Sequence, residues 1–231
     1  MGVWFWFVLA VIGFVFISII RKWHDYAMLY TLAIGFAINA NIYNATTVPM
    51  YLGTIVFSID SILYTGFMFC VIVCAIEYGV VKAKILTSST IAAILLSAVI
   101  EQLAKISTYG FHTEYLTSFL SYFFSVLGTF AGVWLMLWAY EKMQEKNINI
   151  YLIIMACVAI ANIVNSVIFY IFTIISTGSA ENLLGMLIGS VIGKIFCIML
   201  CLLSFYMSTH FFIPRGLEEK YKPANEDEKQ G

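Results

Sequence analysis

Long apolar runs alternate with short polar stretches along the whole chain. Each run is long enough for a helix that crosses a bilayer, since about 20 residues at 1.5 Å per residue span a hydrocarbon core of about 30 Å. We count seven runs, over about residues 3–20, 27–43, 50–78, 85–103, 116–140, 150–175 and 185–206. The pattern predicts an all-α membrane protein with about seven transmembrane helices.

The third run is longer than a bilayer requires. It starts after Pro49 and continues to Tyr78, about 29 residues, and Gly79 follows it directly. We therefore expect either a tilted helix or a short interfacial piece that precedes a shorter helix. The same run carries Asp60 among apolar neighbours.

The basic residues predict how the helices are oriented. Of the 12 Lys and Arg residues, 10 fall on one side of the predicted membrane, whereas Lys105 lies on the other side and Lys194 within a span. Because cytoplasmic loops are rich in Lys and Arg, we expect the N-terminus outside and the C-terminus in the cytoplasm. Arg21 and Lys22 follow the first run, whereas a cleaved signal peptide has basic residues before its apolar region. Residues 1–214 then form the membrane domain, and the polar residues 215–231 form a disordered cytoplasmic tail.

The composition argues against several function classes. The chain has 231 residues, of which 62% are hydrophobic and 11% charged, and its mean hydropathy is +0.94. A formal net charge of −1 provides no basic surface for nucleic acid. We find no phosphate-binding loop, metal-ligand spacing or nucleophile motif, so we expect neither an enzyme nor a cofactor or metal site. The five cysteines lie within apolar runs, and we interpret them as small packing residues.

Lys194 lies in the middle of the last apolar run. An ionisable group at this depth costs roughly 3 kcal/mol on insertion scales, so it should face the bundle interior or a wet cavity and have a partner. Gly185, Gly189 and Gly193 recur every four residues beside it and allow a neighbouring helix to approach closely. The alternative is a lysine that extends to the lipid headgroups or forms a pair only for stability.

Four further polar residues are predicted at a similar depth. Asp60 and Lys194 lie about 15 Å below the outer ends of their predicted helices. Asn41, Glu101 and Asn165 lie about 22 Å above the inner ends of theirs, and so in the outer half of the membrane. We therefore predict a polar pocket that opens to the outside and binds a small-molecule substrate. In this pocket we expect Lys194 to pair with Asp60 or Glu101.

Several stretches match one known family in their order and spacing. They are Ala40–Ile42, Ser61–Tyr64, Glu77–Gly79, Ser121–Ser125, Asn162–Phe169 and Lys194–Tyr206, and the match covers most of the chain after residue 15. In these stretches the chain resembles the queuosine-precursor, or vitamin uptake (VUT), transporter family. The resemblance implies a VUT-like or S-component-like six-helix core plus an N-terminal helix, located in the bacterial inner membrane. It also implies uptake of a queuosine precursor of the 7-deazaguanine type or of a related vitamin-like compound.

The chain departs from the family pattern at several carboxylate positions. Asn165 stands where the family has an aspartate in the sixth span, and Cys201 where the last helix has one. These departures favour an alternative, a membrane sensor or partner-binding protein that retains the fold without transporting. Because the chain has no nucleotide-binding motif, a transporter would be secondary or facilitated, or would use a separate energising membrane partner. A sensor would need a signalling partner, and a membrane-embedded enzyme is the weakest alternative.

Overall fold

The computed structural model describes the backbone of residues 8, 11–17, 26–46, 49–52, 55–146, 148–177 and 183–212. Residues 11–17 are helical. The elements that follow are α1 (Tyr26–Thr46), β1 (Pro49–Leu52), β2 (Ile55–Ser58), α2 (Ile59–Tyr78), α3 (Val80–Tyr109), α4 (Thr113–Gln144), α5 (Ile150–Thr177) and α6 (Leu183–Phe212).

Within the described residues, three helical stretches are long and apolar enough to cross a membrane, judged by length and composition. They are Val80–Tyr109, Tyr122–Gln144 and Ile150–Phe172. Shorter apolar helical stretches cover Tyr26–Ala40, Ile62–Tyr78 and Val191–Met207. The predicted helical and apolar character of the chain is therefore confirmed, whereas the number of spans and their orientation stay predictions.

Pro49–Leu52 and Ile55–Ser58 form the two strands of an antiparallel β-hairpin, where the first part of a long helix was expected. Pro49 pairs with Ser58 and Leu52 pairs with Ile55, so a two-residue connection joins the strands. Proline has no backbone N–H for a helical hydrogen bond and is tolerated as the first residue of a strand. The valine, isoleucine and aromatic residues that follow it favour extended backbone. The expected continuous tilted helix from residue 50 is therefore wrong, and the alternative, a short piece before a shorter helix, is correct in outline.

Two glycines with positive φ mark the ends of α3. Gly79, with φ of 90°, is the one residue between α2 and α3, and Gly110, with φ of 79°, follows α3. Glycine adopts such angles without the steric cost that a Cβ atom brings. The end of the third run before Gly79 is therefore confirmed. Helix α3 extends beyond its apolar run at both ends, because a helix once formed continues at little cost through polar residues.

Helix α2 lies at the centre of the packing. Every residue from Phe67 to Ala75 is buried, and α2 contacts α1, α3, α4, α5 and α6. A helix that is apolar around its whole circumference is typical of a buried position. All five cysteines of the chain are buried and none forms a disulfide, which agrees with their interpretation as packing residues.

Helices α4 and α5 approach each other closely at two glycines of α4. A Cβ atom on Gly132 would lie 2.6 Å from the carbonyl oxygen of Ala161, and one on Gly128 would lie 2.8 Å from Oδ1 of Asn165. Small residues spaced four apart allow helix backbones to come this near. The close contact fixes the register of α4 against α5, and with it the position of Asn165.

Candidate functional site

A group of polar side chains lies buried inside the apolar bundle, on helices α2, α4, α5 and α6. Each side chain belongs to a residue with a relative exposure of 6% or less. Buried polar groups cost free energy unless they are hydrogen-bonded, so their position usually reflects a specific role in structure or binding. We name this set the polar cluster; its members are Tyr64, Thr65, Ser125, Asn162, Asn165, Ser166 and Lys194.

Lys194 lies inside the bundle and bonds to the neighbouring helix. Its ammonium nitrogen Nζ donates a hydrogen bond to Oγ of Ser166 at 2.6 Å, and the residue is 6% exposed. The preceding residue, Gly193, is also buried. The side chain is thus held by a neighbouring helix, which argues against the alternative of a lysine that extends to the lipid headgroups. The prediction that Lys194 faces the bundle interior is confirmed.

Hydrogen bonds connect the polar cluster across helix boundaries. The Tyr64 hydroxyl on α2 and the Ser125 hydroxyl on α4 lie 2.5 Å apart. Thr65, also on α2, donates to Oδ1 of Asn162 on α5 at 3.5 Å, and Asn162 Nδ2 donates to the carbonyl oxygen of Val158 at 3.0 Å. Helix α2 is thus joined by polar contacts to both α4 and α5.

Asn165 contributes a buried acceptor to the same region. The residue is only 4% exposed, and yet its Oδ1 atom has no hydrogen-bond partner. A buried carbonyl oxygen left unpaired is uncommon in native proteins and calls for a specific explanation. Ser166, the next residue, accepts the hydrogen bond from Lys194. The residue that binds the Lys194 ammonium group and the residue with the unpaired acceptor are therefore consecutive on α5.

Glu101 has partners other than Lys194. Its Oε1 accepts a hydrogen bond from Lys105 Nζ at 2.6 Å, one turn along α3. Its Oε2 accepts a hydrogen bond from the Tyr122 hydroxyl of α4 at 3.0 Å. The predicted pair between Glu101 and Lys194 is therefore not formed. The reason is local: residues four apart on a helix are neighbours, so Lys105 is within reach of Glu101 without any tertiary contact.

Asn41 and Asp60 have side chains outside the described part of the chain. Asn41 belongs to α1, and Asp60 is the second residue of α2. The predicted depth of Asp60 assumed about ten helical residues before it, and the β-hairpin replaces them, so that depth is wrong. Tyr64 follows Asp60 by four residues, which places the two positions on one face of α2. Asp60 stays a predicted partner of Lys194.

The structure thus places the predicted site residues in more than one group. Asn165 and Lys194 belong to one polar cluster, and Glu101 lies in a neighbouring group with Tyr122. Tyr122 and Ser125 of the cluster lie three residues apart on α4, and so on one face of that helix, which links the two groups. Prediction from sequence missed the other five members of the polar cluster, which are Tyr64, Thr65, Ser125, Asn162 and Ser166. The available signal was their position within apolar runs, but serine, threonine and tyrosine there more often serve helix packing.

Among the residues whose side chains are described, no group of three or more His, Cys, Asp or Glu is placed to hold a metal ion. No protein-family model, curated protein or solved structure matches the chain. The resemblance to the VUT family therefore stays a prediction. Any functional proposal rests on the chemistry of the polar cluster.

Proposed function

We propose that the chain is an integral membrane transporter that binds a small molecule at the polar cluster. The proposed substrate is a queuosine precursor of the 7-deazaguanine type or a related vitamin-like compound. In this proposal the chain crosses the cell membrane about seven times, with its N-terminus outside and its C-terminal tail in the cytoplasm. The resemblance to the VUT family supports the substrate class, and the bacterial inner membrane is the location it implies.

Two observations carry the proposal together: a buried lysine bonded to Ser166, and an unpaired amide oxygen on the preceding residue, Asn165. Lys194 keeps an ammonium group inside an apolar bundle, where a charge is costly and marks function by default. Asn165 lies about one helical turn after Asn162 on α5, and its side-chain carbonyl oxygen has no hydrogen-bond partner. A purely structural core has little use for either group, because apolar residues of similar volume pack at lower cost.

These groups define the ligand that would fit them. An ammonium group only donates hydrogen bonds, so Lys194 selects an acceptor or an anion, whereas the amide oxygen of Asn165 selects an N–H or O–H donor. A 7-deazaguanine base carries a ring carbonyl oxygen and neighbouring N–H groups on one planar edge. The hydroxyl groups of Tyr64 and Ser125 lie on the adjoining helices and act as donor or acceptor. The cluster therefore matches a small planar base better than an apolar substrate.

Basic and aromatic side chains gather at one end of the bundle and support the proposed orientation. Lys82 Nζ lies 5.5 Å from the ring centroid of Tyr26 and 5.4 Å from that of Tyr78. Lys84 Nζ lies 5.4 Å from the ring centroid of Trp134. Tyrosine and tryptophan are enriched at membrane interfaces and lysine on the cytoplasmic side. In the proposal this end of α2, α3 and α4 is the cytoplasmic end.

A rescue assay tests the proposal. The chain is expressed in bacteria that can neither make nor import queuosine precursors, each precursor is supplied in the medium, and queuosine-modified tRNA is measured. We expect wild type to restore the modification and Lys194→Met to abolish it. Lys146→Met is the matched control, because Lys146 is exposed after the end of α4, and this variant should rescue like wild type.

Two results would contradict the proposal. One is the absence of rescue by a chain that is present in the membrane at normal levels. The other is full rescue by Lys194→Met, which would separate transport from the polar cluster. Co-purification of a stoichiometric membrane partner without any substrate uptake would instead support the sensor alternative.

A further inference from the structure

Gln102 carries a buried amide group in which neither polar atom has a hydrogen-bond partner. The residue is 7% exposed, and both Oε1 and Nε2 are unpaired. It continues the buried face of α3 that contains Ile94 and Ala98. A primary amide offers two donors and one acceptor, and burying all of them unpaired is costly. Gln102 therefore has the same unusual property as Asn165, on a different helix.

Helix α4 gives the position of Gln102 relative to the polar cluster. Glu101, the neighbour of Gln102, accepts a hydrogen bond from Tyr122. Asn165 faces Gly128 of the same helix. Tyr122 and Gly128 are about six residues apart, which corresponds to about 9 Å along the helix axis. Along the bundle axis, Gln102 therefore lies about 9 Å from Asn165, nearer the end of the bundle where α3 ends.

Polar groups occupy the interval between these two levels. Ser125 lies midway along α4 between Tyr122 and Gly128, and it is paired with Tyr64 of α2. Beyond Gln102, α3 continues only to Tyr109. A molecule that enters from this end reaches the level of Gln102 before it reaches that of Asn165. Two buried amide groups with unpaired atoms thus lie at two levels along the bundle.

We infer that Gln102 is a specificity-determining residue, whose amide forms paired hydrogen bonds with a ligand edge that presents an adjacent donor and acceptor. Such edges occur on nucleobases and on carboxamides attached to aromatic rings. Glutamine pairs in this bidentate way with adenine, where its Oε1 accepts from an amino group and its Nε2 donates to a ring nitrogen. This inference rests on the proposed binding of a small molecule at the polar cluster. It adds the chemical class of ligand that Gln102 selects.

The test uses the full chain purified in detergent micelles and two pairs of probes. Adenine is compared with purine, which lacks the amino group, and nicotinamide is compared with 3-acetylpyridine, which is also neutral and lacks the amide donor. We expect at least one donor-bearing probe to bind roughly tenfold more tightly than its analogue, as a bidentate pair provides. Gln102→Leu should remove this difference. Gln144→Leu is the control, because Gln144 is exposed at the end of α4.

The unfolding temperature without ligand provides a second measurement. Replacing an unpaired buried amide with an apolar side chain of similar size should raise it. A lower unfolding temperature in Gln102→Leu would mean that the amide is satisfied in the folded protein, for example by a bound water, and would overturn the inference. Equal affinities within both probe pairs, or a difference that persists in Gln102→Leu, would also overturn it.

The two proposals fail in different ways. If the tRNA rescue depends on Lys194 but the probes are insensitive to Gln102, the transport proposal stands and the role of Gln102 is rejected. If the chain neither rescues nor binds any probe, both proposals are rejected.

Discussion

The ammonium nitrogen of Lys194 lies 2.6 Å from the hydroxyl oxygen of Ser166, so a charged hydrogen bond joins α5 and α6 inside the apolar core. Hydrogen bonds to charged groups are stronger than those between neutral groups, and the low dielectric of the interior increases their strength further. The bond holds the donor of the proposed site against Ser166, the residue that follows Asn165 on α5.

A double-mutant cycle measures the coupling between these two residues. We expect Ser166→Ala to lower the free energy of unfolding by about 1–3 kcal/mol, because a buried charged donor loses an acceptor. In a Lys194→Met background the same change should cost less than half as much. The measurement is denaturant unfolding in detergent micelles. Ser97→Ala is the control, because the Ser97 hydroxyl bonds to the Ile94 carbonyl oxygen of its own helix; strictly additive effects would contradict the coupling.

Gly132→Ala should destabilise the protein by about 1–3 kcal/mol, as expected for overpacking. The added Cβ would lie 2.6 Å from the carbonyl oxygen of Ala161, and backbone atoms cannot move aside as a flexible side chain can. Gly35 offers a matched comparison, since no atom lies within 4 Å of a Cβ placed there. Gly35→Ala should be neutral or stabilising by up to about 1 kcal/mol, because alanine favours the helix. Equal unfolding temperatures for the two variants would refute the close contact between α4 and α5.

Gly128→Ala should affect substrate binding more than stability. The nearest obstacle to its Cβ is Oδ1 of Asn165, at 2.8 Å, which belongs to a side chain that can rotate away. Displacing this acceptor should raise the KM for uptake roughly tenfold, a loss of about 1.4 kcal/mol in binding. The measurement is initial uptake rate against substrate concentration, together with the unfolding temperature. An unchanged KM would show that the substrate does not contact Asn165.

Introduced cysteines test the proposed orientation. The native cysteines are all buried, so they should contribute little background reaction. Thr108 and Lys146 are exposed at opposite ends of the predicted spans. A membrane-impermeant maleimide should label Thr108→Cys in intact cells and Lys146→Cys only after the membrane is opened. The reverse pattern would place the N-terminus in the cytoplasm.

The apolar runs predicted where helices form, and Gly79 predicted one of their ends. The β-hairpin at residues 49–58 was missed for a physical reason. Its strands are mostly apolar, and periodicity alone does not separate a short apolar strand from the start of a buried helix. Pro49 and the two-residue connection after Leu52 were the signals for a hairpin.

Counting residues along apolar runs named Asn165 and Lys194, which are both buried members of the polar cluster. The same counting failed for Asp60, because the β-hairpin replaces the helical residues that it assumed. Depth gives no information about the face on which a side chain points, which explains the error at Glu101. Its pairing with Lys105 and Tyr122 depends on the rotation of α3 against α4. Ser166 was missed because only the packing of α5 against α6 brings a common hydroxyl to a buried lysine.

The one-residue connection between α2 and α3 affects where a protease can cleave the chain. A protease needs several residues of accessible, irregular chain, and such segments are where nicking concentrates. Gly79 alone separates the two helices, so this connection offers no such segment. The connection from residue 145 to residue 149 is longer and follows the exposed end of α4. Limited digestion at this end of the bundle should therefore divide the chain after α4 and leave α2 and α3 in one fragment.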